Sequence, residues 1–255
     1  MSTFQRSAVS FLAVAAVLAA WWLAGALELL NPLLLPPPGD VLLTGYDLTQ
    51  DGYRGVSLAM HVLVSVARAV AAFVAATIIG IMLGLTMGLS PLVNAIFDPF
   101  VQFLRPLPKL ALIPLVIVWF GIGEFSKFLL IFLATFLTIV MASAAAVKGV
   151  PVGRIRAARA LGVTRWQLFR HVVLPSALPE LFTAVRAGIG IGWTTLIAAE
   201  MIASTSGIGW MVMNASSYLR TDVVMLGILI LGLVGYLIDL LLVWAQRRWV
   251  HWEGR

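Results

Sequence analysis

Cysteine is absent from this chain. Its absence removes disulfides, thiolate nucleophiles and cysteine-based metal sites. Histidine is nearly absent, and His61, His171 and His251 lie too far apart in sequence to suggest a metal centre. No glycine is followed by lysine, which excludes a GxxxxGK[ST] phosphate loop. The run GIGIGW at Gly188–Trp193 lacks the GxGxxG spacing of a dinucleotide site. Charge is scarce as well: 11% of the 255 residues carry it, against about 25% in a soluble domain. Serine and threonine are plentiful, but none stands with a paired base of the kind a membrane hydrolase needs. The reading is a non-enzyme with no catalytic residue, no metal and no cofactor of its own.

What the chain has instead is apolar length. It is 61% hydrophobic, with nine Trp and 22 Gly, and its mean hydropathy is +1.02. A bilayer span needs about 20 mostly apolar residues. Residues Ala8–Leu30, Ala69–Leu89 and Phe128–Val147 qualify, and Val223–Ala245 qualifies with one intruding acid, Asp239. Pro99–Phe120 and Leu181–Ala203 qualify with charges inside, giving six helices in one transmembrane unit over residues 1–255. The apolar run from Ala8 exceeds the roughly 7–15 residues of a signal peptide, so a retained anchor is expected. Gly80, Gly84 and Gly88 recur every four residues, a stripe where another helix can approach closely.

Charge then orients the spans. Lys148, Arg154, Arg156, Arg159, Arg165 and Arg170 lie between the fourth and fifth, with no acid from Phe125 to Pro179. Between the first and second, Asp40, Asp47 and Asp51 outnumber Arg54. By the positive-inside rule the 148–179 loop and both termini are cytoplasmic.

Polar residues inside spans are functional candidates by default. Arg105, Pro106 and Pro108 mark a break in the third span, and such discontinuities often build translocation sites. A bend near the interface, with Arg105 and Lys109 reaching head groups, is the competing account. On the fifth span, Arg186 and Glu200 are about 21 Å apart along a helix and cannot pair with each other. Trp193, Thr194, Thr195 and Glu200 would suit a polar cavity; hydrogen bonding between helices would suit the threonines equally.

The 148–179 segment parses as a hairpin. A first helix over Arg154–Leu161 is closed by Gly162. Thr164 caps a second, with Gln167 completing a capping box. Trp166, Phe169 and Val173 share an apolar face, and Leu174-Pro175 with Pro179 are expected to stop the helix. A DNA-reading helix-turn-helix is excluded because no room remains for the independent domain it needs.

Ala157-Ala158, Gly162, Val172 and Leu174-Pro175 resemble the EAA loop of ABC importer permeases, E-A-A-x3-G-x9-I-x-L-P. The match departs at Arg156, where the pattern has an acid, and at Val172. Further segments run in the same order as in the taurine, sulfonate and nitrate branch of that family: LLPPPGDVL, MGLSPL, LRPLPKLALIPLVIVWFGIGEFSK, RIRAARALG, LPSALPE, GIGWTTLIAAEMIA and TDVV. RIRAA, GWTTLIAAEMIA and TDVV look most like the taurine permeases.

The resemblance implies an all-α, multi-pass inner-membrane fold of the type I importer kind. It implies a homodimeric pore docked on two cytoplasmic ATPase subunits, which bind ATP and Mg, and a periplasmic binding protein that delivers substrate; it implies no nucleic acid. Arg156, Ala157, Ala158, Arg159, Gly162, Trp166, Phe169, Leu174 and Pro175 would couple to the ATPase. Arg105 and Arg186 would meet a sulfonate, and Glu200 or Trp193 the ammonium of taurine. Alkanesulfonate, nitrate, bicarbonate or another small organic anion remains open as cargo. Outside the class, a channel would not need the hairpin and a membrane enzyme would need a dyad.

Overall fold

The computed structural model describes residues 3–27, 31–250 and 252. Eleven α-helices and two short irregular turns of helix follow one another, with no strand among the described residues. In order they are α1 (Thr3–Ala26), α2 (Pro38–Gln50), α3 (Leu58–Leu89), α4 (Pro91–Leu104), α5 (Ile113–Phe120), α6 (Glu124–Lys148), α7 (Val152–Ala160), α8 (Arg165–Leu168), α9 (Leu174–Ala203), α10 (Ile208–Ser217) and α11 (Thr221–Trp249).

Among the described residues, four helical segments are long and apolar enough to cross a membrane: α3, α6, the run Arg165–Ala203 and α11. The pair α4 and Lys109–Phe120 is apolar and long enough only when taken together, and it is bent by 88°. The expected third span is therefore not one straight helix, and the bend falls at Arg105–Pro108. The expected first span falls on α1, whose described apolar stretch, Phe11–Ala26, is shorter than the four above, so the described residues give four or five crossings where six were expected; its predicted end at Leu30 lies outside the described residues. The second span starts at Leu58 instead of Ala69, because the Ser57 side chain caps the helix by accepting the amide of Met60.

The core is a three-helix layer with α6 between α3 and α9. Small residues make the close approach possible. A Cβ on Gly84 would sit 2.5 Å from Ser143 Cβ and 2.6 Å from the Val140 carbonyl, so α3 and α6 touch backbone to side chain there. On the other side, a Cβ on Gly192 of α9 would overlap the Thr135 hydroxyl of α6. Ala69, Ala72, Ala76, Ala134 and Ala199 are fully buried in the same seams. The remaining faces of α3 and α11 carry exposed Ile78, Met82, Leu233 and Leu241, as a surface bathed in hydrocarbon requires.

One expectation is corrected. Leu174-Pro175 and Pro179 do not stop the second hairpin helix, which runs on into the fifth span as a single segment from Arg165 to Ala203. A turn of π-helix at Phe169–Val173 precedes Pro175. Its wider hydrogen-bond ring absorbs the register change, and Pro175 falls in the first turn of α9, where no amide donor is needed.

Candidate functional site

One pole of the molecule is built from the basic hairpin. Helix α7 ends at Ala160, and Gly162 takes φ +77°, the left-handed conformation that only glycine adopts without strain. Thr164 then starts α8 with a complete capping box: its amide donates to Gln167 Oε1 (2.8 Å), and the Gln167 amide to Thr164 Oγ1 (3.3 Å). Val173, Ala177 and Leu181 anchor the hairpin against Ala146, Val147 and Val150 at the end of α6. Leu168, Phe169 and Leu174 pack against the same cluster.

Arg156, Ala157, Arg159 and Gly162 are exposed, with Leu161 84% and Trp166 63% exposed between the arginines. Of the expected coupling set, Ala158 is buried at 8% exposure, and Phe169 and Leu174 are half-buried against the inner cluster. The outward surface is thus an apolar ridge flanked by cations, a shape that fits a groove on a partner better than open solvent. Pro175 and Leu174 sit at the root, half-buried.

The opposite pole holds a buried polar network that sequence reasoning did not assemble. Glu200 is completely buried near the end of α9. Its carboxylate accepts from Ser65 Oγ (2.8 Å), the Gly209 amide (3.0 Å) and Arg68 Nη1 (2.7 Å). Arg68 also donates to both carboxylate oxygens of Glu124, at 2.6 and 2.7 Å, and to the Ser206 carbonyl at 2.7 Å. Lys127 reaches the same Glu124 at 2.7 Å. His61 accepts the Gly207 amide through Nδ1 (3.1 Å) and stacks on Trp210.

Glu200 therefore does not line an opening; it ties α3, α6, α9 and α10 together. The signals available in sequence were Arg68 just ahead of an apolar run and Glu124 and Lys127 one turn apart. At the edge of this pole Arg220 is held above its ordinary pKa, chiefly by its hydrogen bond to Asp222.

The other expected path residues divide. Arg186 forms a two-pronged pair with Asp239 of α11, both bonds 2.9 Å, beside a cavity of about 230 Å³ between α9 and α11. Its charge is matched within the chain. Trp193 is buried, donates to the Leu231 carbonyl at 3.3 Å and lines the same cavity as Arg186. Thr195 is buried, with its hydroxyl bonded to the Ile191 carbonyl. Thr194 is exposed and bonds the same carbonyl.

Arg105, Pro106 and Pro108 form the bend between α4 and α5. Arg105 opens onto a cavity of about 530 Å³ lined also by Lys109, Leu137, Thr138, Met141 and Ile191. No group of three or more His, Cys, Asp or Glu side chains that could hold a metal ion occurs among the described residues.

An apolar helical layer, a broken span and a partner-shaped basic hairpin are the parts of a transport subunit, and comparison with known proteins decides which. Residues 76–251 match the family described as binding-protein-dependent transport system inner membrane component. The chain belongs to this family. The permease is 45% identical over 242 residues to the taurine transport system permease protein TauC of Escherichia coli (strain K12), covering 94% of this chain and 88% of that one. It is 40% identical over 237 residues to the putative aliphatic sulfonates transport permease protein SsuC of the same organism, covering 93% and 89%.

In fold it superposes on an amino acid ABC transporter chain with a TM-score of 0.58 at 14% identity, over 82% of this chain and 96% of that one. The permease is a multi-pass inner-membrane subunit of an ABC importer and not an enzyme. Its family works with an ATPase and a binding protein.

Proposed function

We propose that the permease imports small sulfonates, taurine foremost, as a homodimer with both termini and the 148–179 hairpin on the cytoplasmic side. The observation that carries the cargo is the pair of relatives above, at 45% and 40% identity, whose names read taurine and aliphatic sulfonates. Orientation is supported by charge: Lys148, the hairpin arginines and Arg247-Arg248 gather near one pole, where Phe182 and Trp249 meet at 6.1 Å.

The hairpin docks on an ATPase subunit that binds ATP and Mg; this chain holds neither. Coupling follows from the continuous helix. A segment from Arg165 to Ala203 is about 58 Å long at 1.5 Å per residue. Displacement of Trp166 by a closing ATPase then reaches the fifth span through the π turn at Phe169–Val173 that joins the two.

The test is uptake of labelled taurine by sulfur-starved cells with and without this chain, competed by ethanesulfonate and by nitrate. Loss of taurine uptake with the chain, and competition by ethanesulfonate but not nitrate, is the expected result. Taurine uptake unchanged by its removal overturns the cargo.

A further inference from the structure

Cations inside a membrane protein are costly unless something balances them. In this permease Arg68 and Lys127 face Glu124, and Arg186 faces Asp239. Arg105 and Lys109 differ. Among the described residues neither forms an ion pair, and Asp98, two turns before Arg105 on α4, forms none with it. The Lys109 ammonium is fixed by the end of α4, donating to the carbonyls of Arg105 (2.6 Å) and Leu104 (3.4 Å). Two of its three protons are used there, and the third stays free. The exposed Arg105 guanidinium has no protein partner among the described residues, so its five N–H groups are uncommitted.

Both side chains border the same cavity, which contains no acid. Its volume of about 530 Å³ lies within the range of about 300–1,000 Å³ usual for small-molecule sites. Depth is set by Thr138 on the facing wall. It lies about 21 Å along α6 from Glu124 and about 15 Å from Lys148. The whole wall runs from Leu137 to Ala145, about 16 to 5 Å along α6 from Lys148, so the cavity opens in the hairpin-side half of the helical layer, where protein walls lower the dielectric below that of water.

We infer that Arg105 and Lys109 form a waypoint for the sulfonate group on its way through the permease. The anion supplies the counter-charge that the protein omits, and the 88° break between α4 and α5 places both cations on one opening. Two donors from flexible side chains and one apolar wall hold an anion briefly, as a path requires, instead of caging it. This rests on the anionic cargo proposed above, and it moves the anion contact from Arg186 to Lys109.

The absence of cysteine allows a test that does not depend on taurine transport. Thr138→Cys gives the permease a single thiol on the cavity wall. In the assembled importer, that thiol is reacted with the anionic sulfonatoethyl methanethiosulfonate and with its trimethylammonium counterpart, and modification of this chain is read by mass. The anionic reagent is expected to react about tenfold faster or more, corrected for the intrinsic reactivities of the two reagents, and adding Arg105→Gln removes the preference. Arg105→Lys in the same background restores most of it, which separates charge from a packing effect. Taurine uptake is then measured for Arg105→Gln and Lys109→Gln in importers that co-purify in normal amount, and a fall of about tenfold is expected for Arg105→Gln. Equal reaction with both reagents, or a preference untouched by Arg105→Gln, overturns the waypoint. An anion preference in an importer that does not move taurine keeps the waypoint and overturns only the cargo.

Discussion

Removing Arg68 should cost the permease more than removing any other single charge. Glu200 has a side chain with 0% exposure, and Arg68 one with 9%. In an Arg68→Leu variant the Glu200 carboxylate keeps Ser65 and the Gly209 amide but loses the one cation that pairs with it among the described residues. A buried charge left without its partner costs about 3–5 kcal/mol. Glu200→Gln should cost less, about 1.5–3 kcal/mol, because charge-assisted bonds are lost while Arg68 keeps Glu124. That outer pair adds little, since Glu124 is 66% exposed and an exposed bridge is worth about 0–1 kcal/mol. The double variant should be less destabilised than the sum, with a coupling of about 1–3 kcal/mol. Thermal unfolding of the detergent-solubilised importer measures all three, and Arg68→Leu is expected to lower the midpoint by on the order of 10 °C. An Arg68→Leu midpoint within about 2 °C of wild type, or strict additivity in the cycle, would refute the reasoning.

Two further outcomes follow from geometry. Arg186→Leu and Asp239→Leu should each cut the amount of permease in the membrane, since a lone charge in a span costs about 2.5–3.5 kcal/mol. The double variant should recover both abundance and taurine uptake, and a well-inserted double variant without uptake would show that the pair does more than neutralise itself. At the other pole, Leu161→Glu with Trp166→Glu should abolish co-purification of the ATPase while membrane abundance stays normal; the apolar ridge is not the docking surface if the ATPase still co-purifies.

Much was determined by sequence alone. Apolar length fixes the crossings, because a bilayer leaves the backbone no alternative to helix. The hairpin is legible because Gly162, Thr164 and Gln167 act within a few residues of themselves, and local hydrogen bonds need no tertiary partner. The Gly80, Gly84 and Gly88 stripe likewise announced a close crossing, though not that α6 would fill it.

Sequence could not say which charges meet. Arg186 and Asp239 were each conspicuous as lone charges in apolar spans, but their pairing depends on the rotation of α9 against α11. Glu200 looked like a cavity residue because its burial is decided by α3 and α10, which bring Ser65, Arg68 and the Gly209 amide to it. The run through Pro175 was also hidden, since a single π turn outweighs the usual reading of proline as a stop. Arg105 and Lys109 stood at a visible break, yet only the tertiary structure decided that no carboxylate reaches them. The physical reason is common to the charges: spacing along a helix fixes which residues share a face, and only packing fixes what that face meets.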